Sequence, residues 1–381
     1  MGKKPEICVY AICRNEEKFI DRWYNTVKEA DSIIVVDTGS EDNTVDLLRS
    51  YGVIVHEQKI IPWSFSEARN LSLSYVPQST DICVCSDLDN LFIKGWRKLL
   101  EESWELCVNK QHLNVQWRYR HIVYNKSIEI PDLEFYDCRI HTRKNFKWIY
   151  PIHEMLDFTG EQKYQVILDT LQVIHMPDNL KSRSAYVTML ENALSQQPSD
   201  PRMNYFYGIH YSIRKDWENT IKRLKYYLQL VSEDSEAIEE MATAMRTIAI
   251  SYYNLGMLND SFYWFEKALS IQSKARINYI EYAKILSKEK MWLVAKGILE
   301  RAISIEREEV GIRYNCCWDS TVFILLIDSC INLGLHDTAE GYIDLALSLH
   351  NSDRTLILLK EKMERRKDDT KAISIKTSFI D

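Results

Sequence analysis

Residues 81–90 read Asp81-Ile-Cys-Val-Cys-Ser-Asp87-Leu-Asp89-Asn90, and this stretch decides the fold of the first half of the chain. The apolar run Ile82 to Cys85 has the length and character of a strand buried on both faces of a parallel sheet. It ends in two carboxylates separated by Leu88, so an extended backbone turns Asp87 and Asp89 to the same side. The carboxyl ends of such strands open into the crevice where α/β sheets bind ligands. Two carboxylates there repel each other unless a cation lies between them. A hard divalent ion such as Mg²⁺ or Mn²⁺ takes one or two carboxylates together with substrate phosphates. A polar turn that closes the strand is the other reading of the same residues.

Working outward, strand-like and helix-like patterns alternate. Ile7–Cys13, Ser32–Asp37, Val53–Glu57 and Asp81–Ser86 read as strands. Glu16–Glu29, with Phe19, Ile20, Trp23 and Val27 at core spacing, Asp42–Tyr51 and Ser64–Tyr75 read as helices, the second opened by Ser40 or Asp42. This alternation implies a parallel sheet with right-handed crossovers. Further strands are expected across 112–124, 135–149 and 165–175, in a less regular arrangement.

The pattern changes after Met176-Pro177 to one that is almost wholly helical. Two domains follow, 1–176 and 177–381, as a chain of 381 residues leads one to expect. Glu266-Lys-Ala268-Leu-Ser and Glu300-Arg-Ala302-Ile-Ser stand 34 residues apart, and Asp344-Leu-Ala346-Leu-Ser follows. Asn254-Leu-Gly256 and Asn332-Leu-Gly334 occupy matching turns, and Gly208 with Lys215-Asp216 fits an earlier unit over 202–231. A helix-turn-helix unit of this length with a small residue late in its second helix is the tetratricopeptide pattern. An insert around 306–318 breaks the period, and the Pro198–Pro201 turn separates an entry helix, 181–196, from the array.

Composition excludes several classes. A net charge of −7 argues against a nucleic-acid binder. Nine scattered cysteines without a Cys-x-x-Cys pair argue against zinc ribbons and redox motifs. No run approaches a membrane span and the N-terminus lacks an apolar leader, so a reduced cytoplasmic protein is expected.

Four segments in the first hundred residues carry a family resemblance. They are Ile7-Cys-Val-Tyr-Ala11-Ile-Cys13-Arg-Asn15-Glu16-Glu17, Ile33-Ile-Val-Val-Asp37-Thr-Gly39-Ser40-Glu-Asp42-Asn-Thr44, Trp63-Ser-Phe-Ser-Glu-Ala-Arg69-Asn70 and Ser86-Asp87-Leu88-Asp89-Asn90. In this order they resemble the family 2 glycosyltransferases of the Rossmann-like α/β fold called GT-A, here followed by an all-α tetratricopeptide-like domain. The resemblance implies an inverting, metal-dependent transfer from a nucleotide-sugar, a UDP-sugar above all. Ala11, Cys13, Asn15, Glu16, Asp37, Gly39, Ser40, Arg69, Asp87, Leu88 and Asp89 would form the donor site. Asp89 would be the direct metal ligand, with Asp87 toward the ribose or a second ligand.

Each residue also has a structural reading. Asp37 can receive a base or ribose, or close an Asx turn. Asn15 and Glu16 can cap the first helix. Arg69 can fork a diphosphate, or hold Asp37 or Asp87 in place. Phe146-Lys-Trp148-Ile-Tyr-Pro-Ile-His153-Glu154, with Arg139-Ile-His-Thr-Arg143 before it, resembles a segment of family members that carry helical repeats. There His153 would be a third metal ligand and Glu154 or Asp137 the catalytic base, against readings as a core histidine and a surface ion pair. Trp117 and Trp148 are candidate sugar-stacking rings or core residues. His175 reads as structural. The two-part layout is similar to sublancin-type peptide S-glycosyltransferases, which implies a peptide or protein acceptor at Cys, Ser or Thr and a homodimer through the repeats. A glycan or lipid-linked acceptor, or a non-catalytic nucleotide-binding scaffold, is the alternative.

Overall fold

The computed structural model describes residues 4–125, 130–178, 185–231, 237–306 and 312–377, with side chains to 365. Two compact units divide at Pro198–Ser199, with Ile312 and Arg313 counted to the first.

The first unit is built on a mixed sheet. Its early part alternates β1 (Ile7–Cys13), α1 (Glu17–Val27), β2 (Ser32–Asp37), α2 (Thr44–Ser50), β3 (Ile54–Glu57), α3 (Phe65–Tyr75) and β4 (Ile82–Cys85). Then follow β5 (Asn90–Phe92), α4 (Trp96–Asn109), β6 (Val115–Val123), β7 (Leu133–Thr142), β8 (Phe146–Ile149), β9 (Met155–Phe158), β10 (Tyr164–His175) and α5 (Ala185–Gln196). The strand order is β3-β2-β1-β4-β7-β6-β10-β5, and β8 and β9 form a separate small sheet. The β3-β2-β1-β4 half is parallel, while β7 enters antiparallel to both β4 and β6.

Strand periodicity explains why β1 is apolar throughout. Ile7, Val9, Ala11 and Cys13 face one side and pack with Phe19, Ile20, Trp23 and Val27 of α1. Cys8 and Tyr10 face the other and pack with Leu73, Val76, Phe146 and Trp148. With both faces covered, the alternation of a half-exposed strand is absent. The cysteines are free thiols, and seven of the nine lie in buried positions, where they act as small apolar residues.

Several elements depart from the sequence reading. The stretch 135–149 is two strands, broken at Asn145, whose φ of 64° is left-handed. Strand β5, three residues long, pairs antiparallel with β10, Asn90 with His175 and Phe92 with Val173, more than eighty positions later, and has no local signature. Helix α4 buries Trp96, Leu100, Ser103 and Cys107, a helical stripe that was open to reading. The first unit also takes in α5, beyond the change of pattern at 176–177: Tyr186 lies edge-on to Phe65 at 6.0 Å. Residues 181–184 of the expected entry helix lie outside the described residues.

The second unit is helical. Hairpins α6 (Pro201–Ile213)/α7 (Trp217–Leu230), α8 (Ile238–Asn254)/α9 (Leu258–Ile271), α10 (Arg276–Lys288)/α11 (Trp292–Ile303) and α12 (Thr321–Asn332)/α13 (His336–Leu349) precede α14 (Arg354–Thr377). Asp200 caps α6, accepting the Met203 N–H at 2.8 Å with Pro201 in the first turn. Each hairpin turns at a left-handed residue, Lys215, Gly256, Lys290 or Gly334. Only the middle interval, 256 to 290, keeps the 34-residue period. Seven positions before these residues stand Gly208, Ala249, Ala283 and Ile327. At Gly208 a Cβ would come within 2.3 Å of Leu224 Cδ2, so α6 and α7 touch there because a side chain is missing. Ala268, Ala302 and Ala346 of the second helices are fully buried. Residues 307–311 of the expected insert lie outside the described residues. Among the described residues no helix is long and apolar enough to cross a membrane.

Candidate active site

The carboxyl ends of β1, β2 and β4 lie side by side, because β1 pairs with both neighbours in parallel: Cys13 is opposite Asp37, and Tyr10 opposite Cys85. Strand β7, running the other way from β4, brings Asp137 and Arg139 to the same end.

A ladder of alternating charges results. Glu154 Oε1 accepts from Arg69 Nε at 2.7 Å, and Arg69 Nη2 donates to Asp87 Oδ1 at 2.7 Å. Asp87 Oδ2 accepts from Arg139 Nη1 at 2.6 Å, and Arg139 Nε lies 3.0 Å from Asp137 Oδ2. The Asp137 carboxylate also accepts the Cys138 N–H and faces His121 Nδ1 at 3.5 Å. Burial by itself would raise the Asp87 carboxyl. Arg69 and Arg139 outweigh it and hold Asp87 far below the usual carboxylate range. Glu154 is lowered too: Arg69, then Arg139, prevail over its burial. Burial lowers His121 to about 4 despite Asp137, so its ring is neutral near pH 7.

Arg69 is thus a buried linchpin, its guanidinium 5.2 Å from the Trp148 ring. Of its two readings, the one that holds Asp87 in place is the one built. Asn70, one residue on, brackets Trp148: its Nδ2 donates to the Trp148 carbonyl and its Oδ1 accepts the Trp148 N–H, both at 2.8 Å. The turn into Glu154 is held by these bonds and by the Phe65 N–H to Pro151 O bond at 2.8 Å.

Asp89 is different. Its Oδ1 is buried without a hydrogen-bond partner, and His175 Nδ1 lies 3.4 Å away. His175 Nδ1 is also 2.8 Å from Asn90 Oδ1, through the antiparallel register of β5 and β10. A buried carboxylate oxygen that accepts no hydrogen bond suits a hard divalent cation that takes its remaining oxygens from a diphosphate. The three-ligand set expected from the sequence is not assembled. Both oxygens of Asp87 are occupied by arginines, and His153 meets Tyr186 edge-on at 6.3 Å. Among the described residues no group of three His, Cys, Asp or Glu is placed to hold a metal ion. The donor set therefore fits a metal only through Asp89 with substrate oxygens.

The β1 and β2 loops are stitched together. Asp37 Oδ2 accepts the N–H groups of Gly39 and Ser40 at 2.9 Å each. Its Oδ1 accepts from the Ser40 hydroxyl and from Cys13 Sγ. This is the Asx-turn reading, and Gly39 at φ 113° supplies the backbone that the turn needs. Asn15 donates its N–H to Ser40 Oγ and accepts the Glu41 N–H, both at 2.8 Å. Glu16 N–H donates to Thr44 Oγ1 at 2.7 Å. Neither residue makes a side-chain cap on α1, and Asp42, rather than Ser40, accepts the Thr44 N–H at the start of α2. Leu88 and Ala11 are buried and act in packing.

Trp117 and Trp148 are both buried, their indole N–H groups bonded to Ser103 and Tyr10, so neither offers a ring to a sugar. Sequence reasoning gave His175 no place at the site, quoted Asn90 in the motif without a role, and did not see His121. Their positions depend on strand pairings across more than eighty residues or on a bulged antiparallel ladder, which leave no local trace.

The model of glycosyl transferase family 2 matches residues 8–159. No curated protein matches the chain. Several solved structures resemble 43–47% of this chain. They include Pseudomonas aeruginosa PilF (17% identity, TM-score 0.34, 47% of this chain and 72% of that one) and MamA (15%, 0.36, 43% and 86%). YrrB, described as a TPR protein with an unusual peptide-binding site, is 12% identical with TM-score 0.35, over 46% of this chain and 81% of its own. Scores of this size fix no fold; the repeat rests on the helix order and turns described above.

Proposed function

We propose that this chain, whose sheet domain belongs to glycosyl transferase family 2 and is a glycosyltransferase domain, moves a sugar from a UDP-sugar to a Cys, Ser or Thr side chain of a peptide or protein, with inversion. The observation that carries the proposal is the charge ladder Glu154–Arg69–Asp87–Arg139–Asp137 together with an Asp89 oxygen that accepts no hydrogen bond. An α/β sheet that only held a nucleotide would have no use for so costly a set of half-buried charges at its ligand-binding edge.

In this reading the loop shaped by Asp37, Gly39 and Ser40, with the main chain from Ala11 to Glu16, receives the nucleoside. Asp89 holds a divalent cation, Mn²⁺ or Mg²⁺, which when bound supplies positive charge against the departing diphosphate. Arg69 and Arg139 keep Asp87 ionised and immobile, directed at the ribose. Glu154, held through one oxygen by Arg69, accepts the proton of the attacking acceptor. Its lowered pKa makes it a weak base. A thiol, with an ordinary pKa of about 8.5, demands less of such a base than a hydroxyl does, which favours cysteine among the acceptors.

Donor hydrolysis with a panel of UDP-sugars and Mn²⁺ tests the enzymatic reading. Glu154→Gln and Asp137→Asn test the base: the true base loses about 10²–10⁴ in kcat with donor KM retained. If both variants keep nearly full kcat, neither carboxylate is the base.

A further inference from the structure

Beside Glu154 lies an aromatic cluster that the transfer chemistry does not use. Trp63 and Phe65 meet edge to face at 5.1 Å, and Phe65 meets Tyr186 at 6.0 Å. All three are half-buried, and Ile61, two residues before Trp63, is 86% exposed. The cluster is continuous with the proposed base. Tyr186 lies edge-on to His153, the residue before Glu154, and the Phe65 N–H holds the Pro151 carbonyl. The connecting turn carries two left-handed residues that are not glycine, Tyr150 at φ 70° and His153 at φ 51°. Such backbone is unfavourable for a tyrosine and persists where the surroundings enforce it. Here Asn70 and Phe65 enforce it, and the result is that Glu154 and the aromatic cluster are fixed together.

We propose that Ile61, Trp63, Phe65 and Tyr186 form a docking face for an apolar side chain next to the accepting residue of a peptide, and so determine acceptor specificity. The inference rests on the peptide-acceptor reading above. Chemistry selects this occupant. Residues 60–66, Ile-Ile-Pro-Trp-Ser-Phe-Ser, contain no charged group, and Lys59 just before them lies against Gly39 of the Asp37 loop, so the face itself offers no cation to an anionic headgroup or phosphate. The two serines are buried, Ser64 capping α3 by accepting the Glu67 N–H, so the segment presents no exposed side-chain hydroxyl to a glycan. What remains exposed is apolar, and the Phe65–Pro151 hydrogen bond and the Tyr186–His153 contact set it beside Glu154, where the acceptor would be deprotonated.

The probe is a set of synthetic decapeptides with one central Cys or Ser, flanked either by Leu and Phe or by Asn and Gln. Each is offered with whichever UDP- or GDP-sugar the full-length enzyme hydrolyses. Wild type should prefer the apolar-flanked peptides by about tenfold in kcat/KM, carried by KM, as partial burial of one aliphatic side chain implies. Ile61→Ser, at a position too exposed to endanger the fold, and Trp63→Ala should each reduce that preference to about twofold or less. Donor hydrolysis without acceptor, measured on the same proteins, separates docking from damage to the charge ladder. No preference in wild type, a preference that survives both variants, or an equal loss of donor hydrolysis overturns the assignment. Donor hydrolysis with no transfer to any peptide overturns both the docking face and the peptide acceptor while leaving sugar transfer standing. No hydrolysis of any donor overturns the enzymatic reading beneath it.

Discussion

Replacing Arg69 with methionine removes the central charge of the ladder while keeping much of its volume. Three hydrogen bonds are lost, to Glu154, Asp87 and Cys85. Asp87 keeps Arg139 and has a side chain 29% exposed, so its share of the loss is small. Glu154, with a side chain only 10% exposed, loses its partner and bears most of it. Breaking a buried pair from one side costs about 3–5 kcal/mol, and one retained partner places this variant near the lower end, about 3 kcal/mol. The cost depends on pH. In the intact protein the lowered pKa values of Asp87 and Glu154 mean that their contribution is present above the unfolded carboxyl range and is lost as pH falls through the folded values. Without Arg69, burial acts on Glu154 with much less opposition and raises its folded pKa. The penalty is then complete at neutral pH and shrinks as the carboxyl protonates. Peptide-resolved hydrogen exchange over β1 and β4, corrected for intrinsic rates, should show about a hundredfold loss of protection at pH 7.5 and a clearly smaller loss at pH 5. A loss below about fivefold, or one equal at the two pH values, would refute the view that Arg69 neutralises a buried carboxylate.

Asp89→Ala should lower metal-dependent turnover by about 10²–10³ while shifting stability by no more than about 0.5 kcal/mol, since no hydrogen bond to Oδ1 is broken; Mn²⁺ titration and thermal melting check the two halves. Gly208→Ala forces a methyl into Leu224 and should destabilise the helical domain by about 1–3 kcal/mol, read as faster hydrogen exchange in α6 and α7 with β1 and β4 unchanged. Asn70→Ala removes both bonds to the Trp148 backbone and should cost about 1–3 kcal/mol, with exchange rising first across 146–154; unchanged exchange there would show that the turn does not depend on Asn70.

Local pattern carried much of the fold. Strands Ile7–Cys13 and Ser32–Asp37 were legible to the residue because each is an apolar run bounded by polar turns. Helix α1 was legible from four apolar residues that share one face. The same holds for the paired alanines and left-handed turns of the helical hairpins, where a repeated backbone demand leaves a repeated residue. Less was legible at the site. Arg69, Asp87, Asp137, Arg139 and Glu154 were all noticed, and holding Asp87 in place was one reading of Arg69, yet the ladder that joins this pair to Arg139 and Glu154 was not legible, because nothing in the order of residues says that β7 runs antiparallel beside β4.

By itself the sequence determined which segments are buried, where strands end in polar residues and which side chains can carry charge, since these depend on neighbours a few positions apart. Tertiary structure alone decided how those charges are shared. It assigned both oxygens of Asp87 to arginines from different elements, left one oxygen of Asp89 without a hydrogen bond, and brought His175 within 3.4 Å of it through a short strand that exists only by pairing. Electrostatic identity is a property of a side chain, but its protonation and its availability to a ligand are set by distance and burial, and those are fixed only when remote strands meet.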